Sequence, residues 1–218
     1  MIIPVALGWS EVKTDSWLSD SSWAQFLFVL FVEIVTLRLT WEFLRRRRVS
    51  FTDIGFNKVH AKYVLYALAG FAAYFLIYIG GLIILSALIP NLNLDQEQQL
   101  GFDKTATGIN LLPIFVSLVI LPPLVEEIVA RGFLFTGLRA KLPFATAAII
   151  TSLLFAAAHL GAAKDGLLWV AGIDTFILSF VMCRLREKTG SLWPSIGVHF
   201  LKNGLAFFVL FNIAQYFR

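Results

Sequence analysis

The sequence predicts an all-α fold, a polytopic transmembrane helix bundle of about six spans. Of the 218 residues, 58% are hydrophobic and 15% are charged, whereas soluble domains have about 45–50% apolar and 25% charged residues. The apolar residues also form long runs, each able to cross roughly 30 Å of hydrocarbon. Helices are required there, because open strands cannot satisfy their backbone hydrogen bonds in lipid.

Polar or proline-containing turns separate the six apolar runs. The predicted spans are Trp23–Leu44, Tyr63–Ile89, Gly108–Lys141, Pro143–Leu160, Leu167–Leu185 and Trp193–Phe217. Pro122 and Pro123 should kink or break the third span, so seven spans are an alternative. We divide the chain into N-terminal spans with a polar loop, residues 1–107, and a helix bundle, residues 108–218, within one integral domain.

The composition and the apolar runs predict a multi-pass integral membrane protein, and the cell membrane is its expected location. Arg45–Arg48 directly follow the first apolar run, which is typical of a cytoplasmic anchor. No aromatic-interleaved basic surface accompanies them, so a nucleic-acid partner is not expected. The expected partner is the lipid bilayer. The single cysteine, Cys183, excludes an internal disulfide and a cysteine metal cluster.

Ionisable residues inside the third run are the first sign of function. Glu126, Glu127 and Arg131 are flanked by uncharged sequence on both sides. Charges at membrane depth cost a few kcal/mol each, at the lenient end of the scales, and therefore suggest a functional site. Glu127 and Arg131 share a helix face and can pair, whereas Glu126 is turned about 100° away and stays available for chemistry.

Two later spans each add a histidine. His159 lies in the fourth span, with Phe155 one helical turn before it, and His199 lies in the sixth span, with Asn203 one turn after it. Glu126 is 17 residues before Pro143 and His159 is 16 residues after it, so an antiparallel hairpin brings both to nearly the same depth. The predicted depth of His199 in the membrane agrees less closely with the depth of Glu126 and His159.

Such a cluster suits hydrolysis. A carboxylate with a histidine can activate water as a general base, and a second histidine with an asparagine amide can donate to a developing oxyanion. Two histidines and a glutamate also form a catalytic zinc ligand set. Glu126, His159 and His199 are therefore candidate metal ligands, and zinc is the candidate cofactor.

These motifs, in this order on successive apolar helices, resemble those of the CPBP intramembrane proteases, which include type II CAAX prenyl endopeptidases and bacteriocin-immunity (Abi) proteins. The resemblance covers about Asn110–Asn203 and extends to Phe51–Phe56 and Thr189–Pro194. It implies an intramembrane endopeptidase that acts on a membrane-associated peptide or protein.

The resemblance also implies roles for individual residues. Glu126 and His159 would activate water, His199 and Asn203 would stabilise the oxyanion, and Glu127 and Arg131 would orient the site or bind substrate. It does not decide between a bound metal and a metal-free glutamate mechanism.

Two other functions are alternatives. One is a catalytically silent scaffold or immunity factor that keeps the fold. The other is a small ion-coupled transporter with Glu33, Glu126, Glu127 and Asp174 as relay groups, although the sequence contains no inverted repeat of the kind common in carriers. Asp174 and Lys202, both in later spans, are expected to pair.

Overall fold

The computed structural model describes residues 20–89, 94, 96, 102–103, 105–163 and 166–213. Its helices are α1 (Ser22–Arg46), α2 (Lys62–Leu88), α3 (Gly108–Arg139), α4 (Phe144–Ala158), α5 (Trp169–Thr189) and α6 (Trp193–Phe208). A π-helical segment, Val209–Ile213, follows α6. Within the described ranges the β structure is limited to one antiparallel pair, Ala162–Ala163 with Gly166–Leu167. The all-α prediction is confirmed. The predicted polar loop, which is the segment Asn91–Thr107 between the second and third predicted spans, lies largely outside the described residues, as does the end of the sixth predicted span.

Three helices of the described part are long and apolar enough to cross a membrane: α2, α3 and the run Trp193–Asn212. They coincide with the second, third and sixth predicted spans, and with the composition they make this an integral membrane protein. Helix α4 has 15 residues and is about 22 Å long, shorter than the roughly 30 Å hydrocarbon core. The number of spans, six or seven, stays a prediction.

Helix α3 passes through Pro122 and Pro123 without a break. Two of its stretches, Val116–Ile120 and Ile128–Phe135, have π geometry. At the first of these, the Leu121 N–H donates to the Val116 carbonyl five residues back. The wider turn lets the helix continue where proline removes α-helical donors, so the third predicted span is one helical run.

The chain forms two compact units. The first comprises residues 1–39, 100–125 and 203–218, and the second comprises residues 40–99 and 126–202. In the first unit, Phe115 and Phe207 meet edge to face with ring centroids 5.2 Å apart. In the second, α5 packs against both α2 and α4. A buried apolar cluster of the second unit consists of Ala67, Tyr74, Leu178, Met182, Leu185 and Val198. The predicted division between residues 107 and 108 stays a prediction.

A connector between α1 and α2 holds the start of α6 within the second unit. The Gly55 carbonyl accepts the Leu192 N–H at 2.9 Å, and the Trp193 indole donates to the Asn57 carbonyl at 2.6 Å. Gly55 has φ +95°, and a Cβ there would come within 2.6 Å of the Arg186 guanidinium carbon. These contacts fix the beginning of the helix that carries His199.

Candidate active site

The paired glutamates lie where α3 changes geometry. Glu126 and Glu127 end the α-helical segment Leu121–Glu127, and the π segment Ile128–Phe135 begins directly after them. Insertions of this kind are frequent at functional sites. The change of helical pitch alters the spacing of the side chains that follow.

Glu127 and Arg131 form a fully buried ion pair, as their spacing predicts. Arg131 Nη1 donates to Glu127 Oε1 at 2.6 Å, and both side chains are 0% exposed. The guanidinium also lies over the Phe155 ring, with Cζ 4.3 Å from the ring centroid. The partner carboxylate and the aromatic face together offset part of the cost of removing this charge from water.

Glu127 also holds His199. The same oxygen, Oε1, lies 3.0 Å from His199 Nδ1, and the histidine side chain is 5% exposed. A carboxylate that accepts from Arg131 also accepts here, so Nδ1 carries the proton in the neutral imidazole and Nε2 presents a lone pair. Glu127 therefore sets the tautomer and orientation of His199.

His159 is fixed in the same tautomer by its own helix. Its Nδ1 lies 2.8 Å from the Phe155 carbonyl oxygen. A carbonyl can only accept, so Nδ1 donates and Nε2 presents its lone pair. The Phe155 ring is 4.6 Å from the His159 ring and 6.0 Å from the His199 ring, between centroids. Phe155 thus orders both histidines and Arg131.

Glu126 lies opposite the free nitrogen of each histidine. Its Oε2 is 3.9 Å from His159 Nε2 and 3.9 Å from His199 Nε2. That oxygen is shielded from solvent and has no hydrogen-bond partner among the described residues, although the Glu126 side chain as a whole is 33% exposed. Three acceptors converge and no donor lies among them, so the site suits a species that donates to them, such as water.

Asn203 belongs to the other compact unit. Its side-chain amide donates to the Leu118 carbonyl at 2.9 Å. The structure therefore brings together five of the six predicted site residues: Glu126, Glu127, Arg131, His159 and His199. Asn203 lies in the first unit, where it contacts Leu118. The roles assigned to all six residues stay predictions. Complete burial of Glu127 and Arg131 favours orientation of the site over contact with substrate.

A second polar cluster lies elsewhere in the second unit. Lys202 Nζ is 3.3 Å from Asp174 Oδ2, which confirms the expected pair, and the Tyr74 hydroxyl donates to the other carboxylate oxygen. Sequence reasoning missed Tyr74, which lies on α2, 100 residues before Asp174. Of the carboxylates suggested as transporter relay groups, Glu127 and Asp174 are both held in ion pairs.

The predicted metal ligands have suitable chemistry but wide spacing. The Nε2 lone pairs of His159 and His199 face the Glu126 carboxylate oxygen. The Nδ1–H of each histidine donates to an acceptor, as at many histidine–metal sites. Donors on a tetrahedral zinc lie about 3.3 Å apart, compared with 3.9 Å here. In the described part of the chain, no three or more His, Cys, Asp or Glu residues are grouped so as to hold a metal ion.

Residues 108–205 match the family model described as type II CAAX prenyl endopeptidase Rce1-like. The matched segment contains all six predicted site residues. No curated protein and no solved structure matches the chain.

Proposed function

We propose that the chain, whose residues 108–205 match the Rce1-like model of type II CAAX prenyl endopeptidases, is an intramembrane endopeptidase in which Glu126 and His159 activate water. The family is one of proteases, and the long apolar helices make the chain an integral membrane protein. The observation that carries the proposal is the approach of the unbonded Glu126 Oε2 to two histidine lone pairs.

Glu126 and His159 are the pair best suited to meet the attacking water. Their side chains are 33% and 28% exposed, so both are accessible. A water about 2.8 Å from each acceptor can bridge the 3.9 Å between Oε2 and Nε2. It would donate to both acceptors and lose a proton to one of them as its oxygen attacks the scissile carbonyl. General-base help of this kind contributes about 10²–10⁴-fold to the rate.

His199 is suited to stabilise the charge that develops in the transition state. Its Nδ1–H donates to Glu127 Oε1, and a carboxylate in that position stabilises the imidazolium form. The proton that Glu126 takes from the attacking water can pass to His199 Nε2, 3.9 Å from Glu126 Oε2. His199 then donates to the oxyanion, a contact worth about 10²–10³-fold, and the proton goes to the leaving amine as the C–N bond breaks. The family resemblance implies that Asn203 is a second donor, but in the structure its amide donates to the Leu118 carbonyl instead.

Zinc stays a candidate cofactor, and Glu126, His159 and His199 are the residues that would hold it. When bound, zinc would lower the pKa of a coordinated water and polarise the scissile carbonyl. Because the donors are wider apart than tetrahedral zinc requires, we assign water activation to the side chains themselves.

The substrate that we propose is a membrane-associated peptide or protein, cleaved by a multi-pass enzyme of the cell membrane. The family description names prenylated CAAX sequences, so a prenylated peptide ending in such a sequence is the first substrate to test. Other membrane-anchored peptides are the comparison set.

The test compares three peptides in proteoliposomes: a prenylated CAAX peptide, the same peptide without the prenyl group, and an unrelated transmembrane peptide. Wild-type enzyme and Glu126→Gln are assayed side by side, and the products are identified by mass spectrometry. Cleavage by the wild type alone supports an endopeptidase, and the preferred peptide gives its substrate class. Equal cleavage by both proteins would contradict the assignment of Glu126.

A further inference from the structure

The Leu118 carbonyl has lost every donor that a helix normally supplies. In an α-helix its donor is the N–H of residue 122, and in a π-helix it is the N–H of residue 123. Both residues are proline and have no N–H. The remaining neighbour, the Leu121 N–H, donates to Val116 instead. Backbone carbonyls away from water require a partner, and the helix cannot provide one here.

Asn203 supplies the missing donor. Its Nδ2 lies 2.9 Å from the Leu118 oxygen, in a partly buried position 85 residues away along the chain. Both residues belong to the first compact unit. Next to this contact, Gly204 would place a Cβ 3.7 Å from a Val119 methyl group, so the two helix segments also meet closely through apolar atoms.

We propose that Asn203 is a positioning residue whose amide replaces the backbone donor that Pro122 and Pro123 remove, and so fixes the helix turn that leads into Glu126. Glu126 follows Pro123 by three residues, less than one turn. The consequence for catalysis rests on the proposed role of Glu126, whereas the structural part stands without it. The second N–H of the amide is not needed for this contact.

The contact between the Leu118 carbonyl and its donor can be tested by rescue, in which a second substitution restores the missing backbone N–H. Asn203→Ala leaves the Leu118 carbonyl without a donor, and we expect the melting temperature to fall by about 2–6 °C. We expect kcat to fall about 10- to 100-fold, because small displacements of catalytic groups have effects of this size. Pro122→Ala restores an N–H that faces Leu118, so Asn203→Ala should cost much less in that background, in both measurements.

The controls separate this role from direct catalysis. Asn110→Ala removes an exposed asparagine amide from the same unit and should leave the melting temperature unchanged. Asn203→Asp replaces the donor with an acceptor and should behave like Asn203→Ala. If Pro122→Ala does not fold, Pro123→Ala restores the donor for π geometry and takes its place.

Two results would overturn the proposal. One is an unchanged melting temperature for Asn203→Ala in the wild-type background. The other is an equal loss of activity from Asn203→Ala with and without the restored N–H, which is the behaviour expected of a residue that acts only on the oxyanion. If the enzyme cleaves no tested peptide, the coupling between the melting temperatures still decides the structural role, so failure of the proposed function is distinguishable.

Discussion

Glu127 Oε1 accepts a hydrogen bond from His199 Nδ1 at 3.0 Å while it also accepts from Arg131 at 2.6 Å. One buried carboxylate oxygen thus neutralises a guanidinium and orients an imidazole from another helix. The two adjacent glutamates therefore have different surroundings: Glu127 is fully buried and its Oε1 accepts two hydrogen bonds, whereas Glu126 is partly exposed and its Oε2 accepts none among the described residues.

Removal of the Glu127 carboxylate should destabilise the fold. Glu127→Ala leaves the fully buried Arg131 charge without its partner, and loss of one member of a buried pair costs about 3–5 kcal/mol. We expect a lower unfolding free energy in detergent titrations and loss of cleavage. The matched control is Glu187→Gln, which removes a half-buried carboxylate bonded to Arg139 at 2.8 Å and should cost much less. Equal effects of the two variants would contradict the account.

Substitutions of the two site histidines should differ in their effects on activity and on melting temperature. His159→Gln removes a partly exposed side chain whose Nε2 has no hydrogen bond, so activity should fall about 10²–10⁴-fold with little change in melting temperature. His199→Gln disturbs a buried side chain bonded to Glu127 and should lower both. His60→Gln, at an exposed position in the connector, is the control for both measurements. A large loss of stability from His159→Gln would be inconsistent with its position.

Removal of metal ions tests whether Glu126, His159 and His199 suffice for catalysis without zinc. Because Glu126 Oε2 lies 3.9 Å from each histidine Nε2, farther than donors on a tetrahedral zinc, we expect activity to survive exhaustive chelation and the purified protein to contain much less than one zinc per chain. Elemental analysis and cleavage assays before and after chelation provide the readout. Loss of activity that zinc restores, with stoichiometric zinc in the active protein, would show that the ligand set closes around a metal.

Glu187 should make a pH-dependent contribution to stability. The Arg139 guanidinium that donates to it holds the pKa of its carboxyl below the ordinary value. A carboxyl whose pKa is lowered on folding stabilises the fold above its unfolded pKa, and this contribution disappears as the pH falls through the lowered pKa. Glu187→Gln should therefore be less stable than wild type at neutral pH and equally stable in strong acid, as measured by melting temperature across pH. A difference that persists in acid would point to packing instead.

Sequence reasoning succeeded where helical periodicity or hairpin depth determines a contact. The i,i+4 spacing predicts the Glu127–Arg131 pair, and the nearly equal distances from Pro143 place Glu126 beside His159. It missed the second role of Glu127, because the partner, His199, is 72 residues away and helix rotation is not readable from a single sequence.

Other contacts were also unreadable from the sequence, because they depend on backbone hydrogen bonding and on helix packing. The double proline marks an irregular third span, but its continuity through a π turn depends on which carbonyls find other donors. The partner of Asn203 is a backbone carbonyl, which leaves no trace in side-chain identity. Tyr74 was missed for another reason, because its contact with the Asp174 carboxylate depends on how α2 and α5 pack.

The most direct test of the central claim is cleavage of a prenylated CAAX peptide in proteoliposomes by wild-type enzyme and by Glu126→Gln. The substitution keeps the size and polarity of the side chain and removes the carboxylate that faces both histidines. We predict cleavage by the wild type and a loss of at least about 10²-fold in the variant, with unchanged insertion and melting temperature. Cleavage of that peptide by the variant at the wild-type rate would contradict the account.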